Sequence, residues 1–535
     1  MSRMLSLILC LLILSPSAYV AWQARDIPQF GRIHDDSIYF VSAKSIAEGH
    51  GYRILSLPGE PYQTKYPPLF PLLLTLVWKI QPEFPGNLQI AALVCWLMLP
   101  AFLATCWLFY KSLGLPEWQS LALICLLGLN FWVGVFTISV MPELMFVTLL
   151  IGSVILADKA TEHSNSWEAF AAAVVASAAY LTRSAALPLL ISVPLVLWLR
   201  KRTQCAVVFF LSMSVTVVGW NLWVYNHRIA VTDENDLFYL SYFGYFVKTE
   251  PLGDLPMMIV QNARTLSFSV AELLDMHGIA STLGALIQVS ITVASLIGLF
   301  WMARRFKLSH YYAFAACYLP VLLLWSPRTR FVLPVIPILL GGLFLVIQES
   351  IKLVGILMKR DSALSVGASL AISVVLLISV GWLFVSYCST PWMILPDAAQ
   401  WRAQKVLRLP SYDYIKQHIP ASSAFIAHED PLFYLYTGHH ARSLHSPTNL
   451  LDRSGFQAIA TRYYSLAEFG REHNLDYLFF TPDDFYRESR EDELRSIVRR
   501  VVQTGADFEL LREDNGGSIY KMNKPGPPDV ANGKR

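Results

Sequence analysis

Residues 88–110 read LQIAALVCWLMLPAFLATCWLFY, a run without a charged side chain. A helix of about 20 apolar residues crosses the hydrocarbon core of a bilayer, so this run is predicted to span a membrane. Comparable runs lie at 4–22, 119–137, 142–157, 168–182, 184–199, 204–225, 281–302, 309–326, 331–348 and 364–387, which predicts about eleven spans. The stretch 68–80 is apolar but short and is predicted to lie along the interface. Composition agrees: 54% of the 535 residues are hydrophobic and 15% charged, where a soluble domain carries about 25% charged residues. The fold class predicted is a polytopic α-helical membrane protein.

Charge is unevenly placed. Residues 389–535 hold 18 Lys and Arg and 19 Asp and Glu, against 24 and 20 in the first 388 residues. That shift marks a soluble unit on a membrane body. Its sequence predicts helices over 397–409, 412–418, 455–473 and 488–502, strands over 424–427 and 476–481, and a hairpin of 508–511 and 518–522 around Asp514-Asn515-Gly516-Gly517. Turn-forming residues between two strand-like runs give the hairpin its mechanism. The division predicted is therefore a membrane domain over 1–388 with a first outer loop at 23–87, a small α/β domain over 389–524, and a disordered tail at 525–535. All seven cysteines fall in or beside apolar runs, which favours packing over disulfides or metal thiolates.

Short loops rich in Lys and Arg stay on the cytoplasmic side. Lys111, Lys159, Arg200-Lys201-Arg202, Arg304-Arg305 with Lys307, and Lys352 with Lys359-Arg360 share one side if the N-terminus is cytoplasmic. An odd number of spans then carries the C-terminal domain to the outer face. Arg3 and the apolar run 5–14 resemble a signal peptide, but the residues around Pro16 and Ala18 suit cleavage poorly. A retained anchor is predicted.

Chemistry is expected in the first outer loop. Arg32-Ile33-His34-Asp35-Asp36-Ser37-Ile38-Tyr39 places two adjacent carboxylates beside the bilayer, where charge is costly. Neighbouring carboxylates cannot face one point, so they are assigned different tasks. One serves as a general base or orienting acid; the other holds a metal or a basic side chain. Lys65-Tyr66-Pro67-Pro68 follows, its prolines stiffening the chain; Lys65 either meets a phosphate or snorkels to lipid headgroups. Glu143 in Pro142-Glu143-Leu144, Arg183 in Leu181-Thr182-Arg183-Ser184, and Arg328 and Arg330 ahead of Pro334 and Pro337 all fall at the outer ends of spans. Several bases and three carboxylates at one depth suit a lipid-linked phosphate, because guanidinium forks bind phosphate oxygens in pairs.

These motifs, in this order, resemble the GT-C class of integral membrane glycosyltransferases. Within it the chain looks closest to the branch containing protein O-mannosyltransferases and the lipid A aminoarabinose transferase. The resemblance covers roughly residues 1–350. It implies a sugar donor carried on polyprenyl phosphate, transfer on the outer face, and inversion at the anomeric carbon. It also implies that Asp35 is the loop acid near the reaction centre, Asp36 its acidic neighbour, and Glu143 the second acid. Lys65 and Arg330 match positions near the donor phosphate, with Arg183 and Arg328 as further candidates for that cluster. Where the family often has Glu before the loop lysine this chain has Thr64, which weakens the case for a metal there. No metal ligand is assigned, and a divalent metal ion stays open as a cofactor. His428-Glu429-Asp430 and His439-His440 lack a metal-ligand spacing and are read as surface or packing residues.

The partners expected are a polyprenyl-phosphate sugar, an acceptor that is lipid, protein or glycan, and membrane lipid, with no nucleic acid. The location expected is the bacterial plasma membrane. A transporter or lipid-linked-sugar flippase is the alternative; it would carry polar or broken helices near the midplane, commonly in repeated halves. A sensor using its outer domain for binding is the third reading.

Overall fold

A computed structural model of the chain describes residues 3–229, 234–241, 244, 255–274, 282–305, 309–325, 328–358, 394–444, 455–482, 484–485, 490–504 and 507–523. Four of its helices are long and apolar enough to cross a membrane: Leu88–Ser112, Glu143–His163, Thr203–His227 and Thr329–Ser350. The pair Glu117–Leu129 and Phe131–Thr137, bent by 60°, makes a fifth if taken as one span. Helices also occupy other expected runs, as Arg3–Gln23, Ser166–Thr182, Leu189–Leu199, Thr282–Arg305 and His310–Leu324. The expected run 364–387 and the tail 525–535 lie outside the described residues.

Two departures from unbroken spans have local causes. At Asn130 the backbone is extended and the side chain accepts from Val133 N at 3.1 Å, restarting the helix as an N-cap. Its Nδ2 donates to Leu273 O at 2.8 Å, which fixes the bend against another helix. At Arg183, between the expected runs 168–182 and 184–199, the chain is extended, with Ser166–Thr182 before it and the turn Ser184–Ala186 after it. The expected 331–348 span opens instead as a short turn, Thr329–Val332, then a 3₁₀ turn, Leu333–Val335, before Ile336–Met358 begins. Pro334 and Pro337 lack the N–H groups a continuous helix needs. Buried tyrosine hydroxyls serve carbonyls of this broken stretch: Tyr318 donates to Phe331 O at 2.7 Å, Tyr311 to Pro334 O at 2.6 Å and Tyr110 to Pro337 O at 2.7 Å. Backbone polar groups at membrane depth require such partners.

Toward the C-terminus, one helix runs over 394–418, straight through Pro410, where the sequence predicts two. A five-stranded sheet follows, with strands β1 Phe425–Ala427, β2 Ala441–Arg442, β3 Tyr477–Phe480, β4 Phe508–Asp514 and β5 Gly517–Met522, in the order β2-β1-β3-β5-β4. The first three are parallel; β5 is antiparallel to β3 and to β4. The predicted hairpin forms, and Asp514 Oδ1 anchors it by accepting from Gly516 N at 2.8 Å and Ser411 Oγ at 2.7 Å. The predicted 455–473 helix is two, Gly455–Tyr464 and Leu466–Glu472. The helix Asp430–Thr437 and strand β2 had no prediction.

The sheet does not hang free of the helical body. One buried apolar cluster runs from Phe30, Phe40 and Trp78 through the long helices to Tyr412, Phe425, Phe433, Phe479 and Ile519. The other face of the sheet has a smaller core around Ile426, Leu478, Leu494 and Val498. Ala441 N donates to Ser56 O at 2.9 Å, extending β2 toward the first loop. Arg402 pairs with Asp26 at 2.6 Å, and the Arg32 guanidinium lies 3.5 Å from the Trp401 ring centre.

Candidate active site

The first loop turns at His34, a non-glycine residue at φ +66°, and starts the helix Asp35–Ala47. Both acids are buried there but face different partners. Asp35 Oδ2 accepts from Arg330 Nη2 at 2.7 Å, and Oδ1 accepts from Tyr66 OH at 2.5 Å. Asp36 turns into the loop, where Oδ1 accepts from Ser37 N at 2.7 Å and Oδ2 from Gly31 N at 3.1 Å. Two consecutive carboxylates thus point away from each other, as side chains one residue apart on a helix must.

Each partner of Asp35 is itself held. Gln63 Oε1 accepts from Lys65 N at 3.1 Å and Tyr66 N at 3.3 Å, folding the Lys65-Tyr66 turn. Tyr52 OH donates to Tyr66 O at 2.9 Å. Lys65 is buried with its ammonium 3.6 Å from the centre of the Phe238 ring, a cation–π contact. Thr329 donates its hydroxyl to Glu272, which ties the turn carrying Arg330 to the helix Leu255–Leu273.

Burial and charge divide the roles. Burial alone would raise the Asp35 carboxyl, but Arg330, Lys65 and the Tyr66 hydroxyl outweigh it and hold the pKa at about 2. Burial pushes Asp36 up to about 7 despite its two amide donors. Burial, aided by Arg330 and opposed by Asp35, brings Lys65 down to about 7. Asp36 therefore has a testable signature. Its folded pKa lies above the ordinary 3.8, so its contribution to stability is complete below about 4 and lost as pH rises through about 7. The melting temperature of wild type, relative to Asp36→Asn, is expected to fall between pH 5 and pH 8; parallel curves would refute this.

Glu143 begins the helix Glu143–His163, where the helix dipole favours an acid. It is buried and paired with Arg183, while its Oε2 has no hydrogen-bond partner among the described residues. The guanidinium carbons of Arg183 and Arg330 lie 5.4 and 4.7 Å from the centre of the same ring, Phe331. Beside them opens a cavity of about 220 Å³ lined by Tyr39, Tyr66, Arg183, Tyr318, Trp325 and Phe331, among others. Tyr66 and Phe331 thus join the Asp35–Arg330 pair to the cavity wall. Arg328 is exposed two residues before Arg330.

Sequence reasoning did not assign Tyr66, Gln63, Phe238, Phe331 or Glu272. Tyr66 had a signal, because a tyrosine in a stiff loop beside a bilayer needs a hydroxyl partner when buried. The histidine-rich stretches hold structure: Glu429 pairs with Arg408 at 2.9 Å, His440 with Glu60 at 3.3 Å, and His439 Nε2 lies 3.3 Å from Ile419 O. Among the described residues no three His, Cys, Asp or Glu side chains converge as metal ligands. Asp35 and Asp36 are engaged by a guanidinium, a phenol and amides, a donor set that does not suit a metal.

No family model matches this sequence. No curated protein sequence matches it either. Among solved structures, apo ArnT from Cupriavidus metallidurans is similar over 91% of this chain and 93% of its own, with a TM-score of 0.50 and 11% identity. ArnT from the same organism bound to undecaprenyl phosphate is similar over 96% and 97%, at 0.49 and 12%. The oligosaccharyltransferase of Archaeoglobus fulgidus is similar over 89% of this chain and 70% of its own, at 0.48 and 10%. The chain is similar in fold to these proteins, which are GT-C enzymes. ArnT is the lipid A aminoarabinose transferase, and the likeness to it is one of fold.

Proposed function

We propose that this protein transfers a sugar from a polyprenyl phosphate to a hydroxyl or amine acceptor, with inversion, on the outer face of the bacterial plasma membrane. About eleven spans, a cytoplasmic N-terminus and an extracytoplasmic domain over 389–524 complete this reading. The observation that carries it is the buried carboxylate of Asp35, held by Arg330 and by Tyr66, with Tyr66 in the wall of a cavity that Arg183 also lines. The solved ArnT with undecaprenyl phosphate supports a donor of that kind.

In the reaction, the bond between the anomeric carbon and the phosphate oxygen breaks, and its electron pair leaves with the phosphate. The acceptor oxygen or nitrogen bonds the carbon from the opposite face, and its proton passes to Asp35. Sugar transfer proceeds through an oxocarbenium-like transition state, so charge grows on the departing phosphate. Arg330, Arg183 and the protonated Lys65 are the cations for that charge, with the exposed Arg328 as a further one. Arg330 has two claims on it. At rest it suppresses the basicity of Asp35; a phosphate that draws on the same guanidinium raises that basicity when the donor is bound. Asp36 holds the loop through Gly31 and Ser37, and Glu143 orients Arg183.

Binding of undecaprenyl phosphate tests the donor side. Lys65 must carry its proton to attract phosphate, and it loses that proton as pH rises through about 7. Affinity is expected to fall about tenfold per pH unit above that point, as loss of one cationic form requires. Lys65→Arg should move the limb beyond pH 9, since a guanidinium keeps its proton to about pH 12. Affinity independent of pH in wild type would remove Lys65 from the phosphate site.

A further inference from the structure

Behind the loop acids runs a second buried chain of polar groups that the transfer step does not use. Tyr239 OH lies 2.9 Å from His34 Nε2 and donates to Asp430 Oδ1, while Asp430 Oδ2 accepts from Ser56 Oγ at 3.4 Å. All four residues are buried. They come from distant parts of the chain: the first loop, the short helix Glu234–Leu240, and the helix Asp430–Thr437 that follows β1. Glu234–Leu240 is clamped at both ends, by Arg442 of β2 pairing with Asp236 and by Thr64 Oγ1 donating to Leu240 O at 2.7 Å. The same helix supplies Phe238 to the Lys65 ammonium.

His34 gives the chain its importance. Its O accepts from Ile38 N at 3.2 Å and Ser37 Oγ at 2.8 Å, so its backbone sets the first turn of the helix that presents Asp35. That backbone sits at φ +66° without being glycine. Such a conformation persists only where the surroundings hold it, and the ring nitrogen on Tyr239 is the one hydrogen bond drawn by the His34 side chain among the described residues, its Nδ1 having no partner. Burial keeps the ring neutral, with its pKa down at about 3. A neutral imidazole with Tyr239 as its partner is therefore the hinge on which Asp35 is aimed.

We propose that Asp430 and Tyr239 are positioning residues for Asp35: through His34, the C-terminal sheet unit holds the loop carboxylate against Arg330 and Tyr66. Because it takes Asp35 as the reacting carboxylate, this role rests on the transferase reading above. It makes the C-terminal unit part of the active site rather than an appended domain.

The test uses the full chain in lipid nanodiscs, with hydrogen–deuterium exchange as the readout independent of any substrate. Tyr239→Phe and Asp430→Leu are expected to raise exchange of the 31–38 amides about tenfold, as loss of local protection does, while the β1 and β3 amides keep theirs. Asp430→Asn retains an oxygen for the Tyr239 hydroxyl and should restore protection. With a donor that turns over, Tyr239→Phe should lower kcat about tenfold or more at unchanged donor KM, the mark of lost transition-state geometry. Unchanged exchange at 31–38 overturns the proposal whatever the activity. Exchange that rises equally across the sheet also overturns it, since the chain is then a general fold element. Loop exchange that rises in a protein without transfer activity keeps the positioning link and sinks the transferase reading instead.

Discussion

Asp35→Asn is expected to lower sugar transfer about 10³-fold, within the range that a positioned general base supplies, while leaving the protein folded. The amide keeps the shape of the carboxylate and an oxygen for Tyr66, but it cannot take the acceptor's proton. It also removes the charge opposite Arg330, which frees that guanidinium for phosphate. Binding of undecaprenyl phosphate by the variant should therefore be preserved or tightened while turnover collapses. The pair of measurements separates chemistry from binding. Equal losses in both would mean that Asp35 serves the fold or the donor site and not the transfer step.

Arg330→Gln has the second largest expected effect, a loss of about 10²–10³ in kcat/KM, as for removal of a preorganised donor to developing negative charge. Two consequences combine. The departing phosphate loses a cation, and Asp35 is left buried with its main counter-charge gone. Arg330 leads the groups holding Asp35 at about 2 against burial, so its removal lets the carboxyl pKa climb. The pH–rate profile of the variant should gain an acidic limb that wild type lacks above pH 4, because Asp35 must be ionised to act. A wild-type-like profile with a lower plateau would confine Arg330 to the phosphate. Its side chain is 15% exposed and that of Asp35 5%, so a fall in melting temperature is also expected from the broken pair.

Much of the architecture was legible because hydropathy is a long-window signal. The runs at 88–110, 142–157, 204–225 and 331–348 form long apolar helices where composition places them. The interruptions were less legible, since each depends on one residue finding a distant partner. Asn130 bends a helix by capping it and by reaching Leu273 O, 143 positions away. Pro410 looked like a helix boundary and is not one, because the 394–418 helix is held along its length by Phe433, Tyr436 and Asp26.

The candidate site divides the same way. Asp35, Lys65 and Arg330 were suggested by their common depth, and the structure brings them together. Glu143 and Arg183 form their own pair, joined to the first cluster through Phe331. Which aspartate faces Arg330 was not legible, because it turns on the φ of His34. The Tyr239–Asp430 connection left no sequence signal at all, since its members are separated by 191 residues and stand in no motif.

Release of free polyprenyl phosphate by the purified protein in lipid, across a panel of polyprenyl-phosphate sugars, tests the central claim most directly. The account predicts release that depends on which sugar is offered and that collapses in Asp35→Asn. A panel in which no donor turns over, with one of them bound equally by wild type and Asp35→Asn, would contradict it and leave a flippase or binding protein in its place.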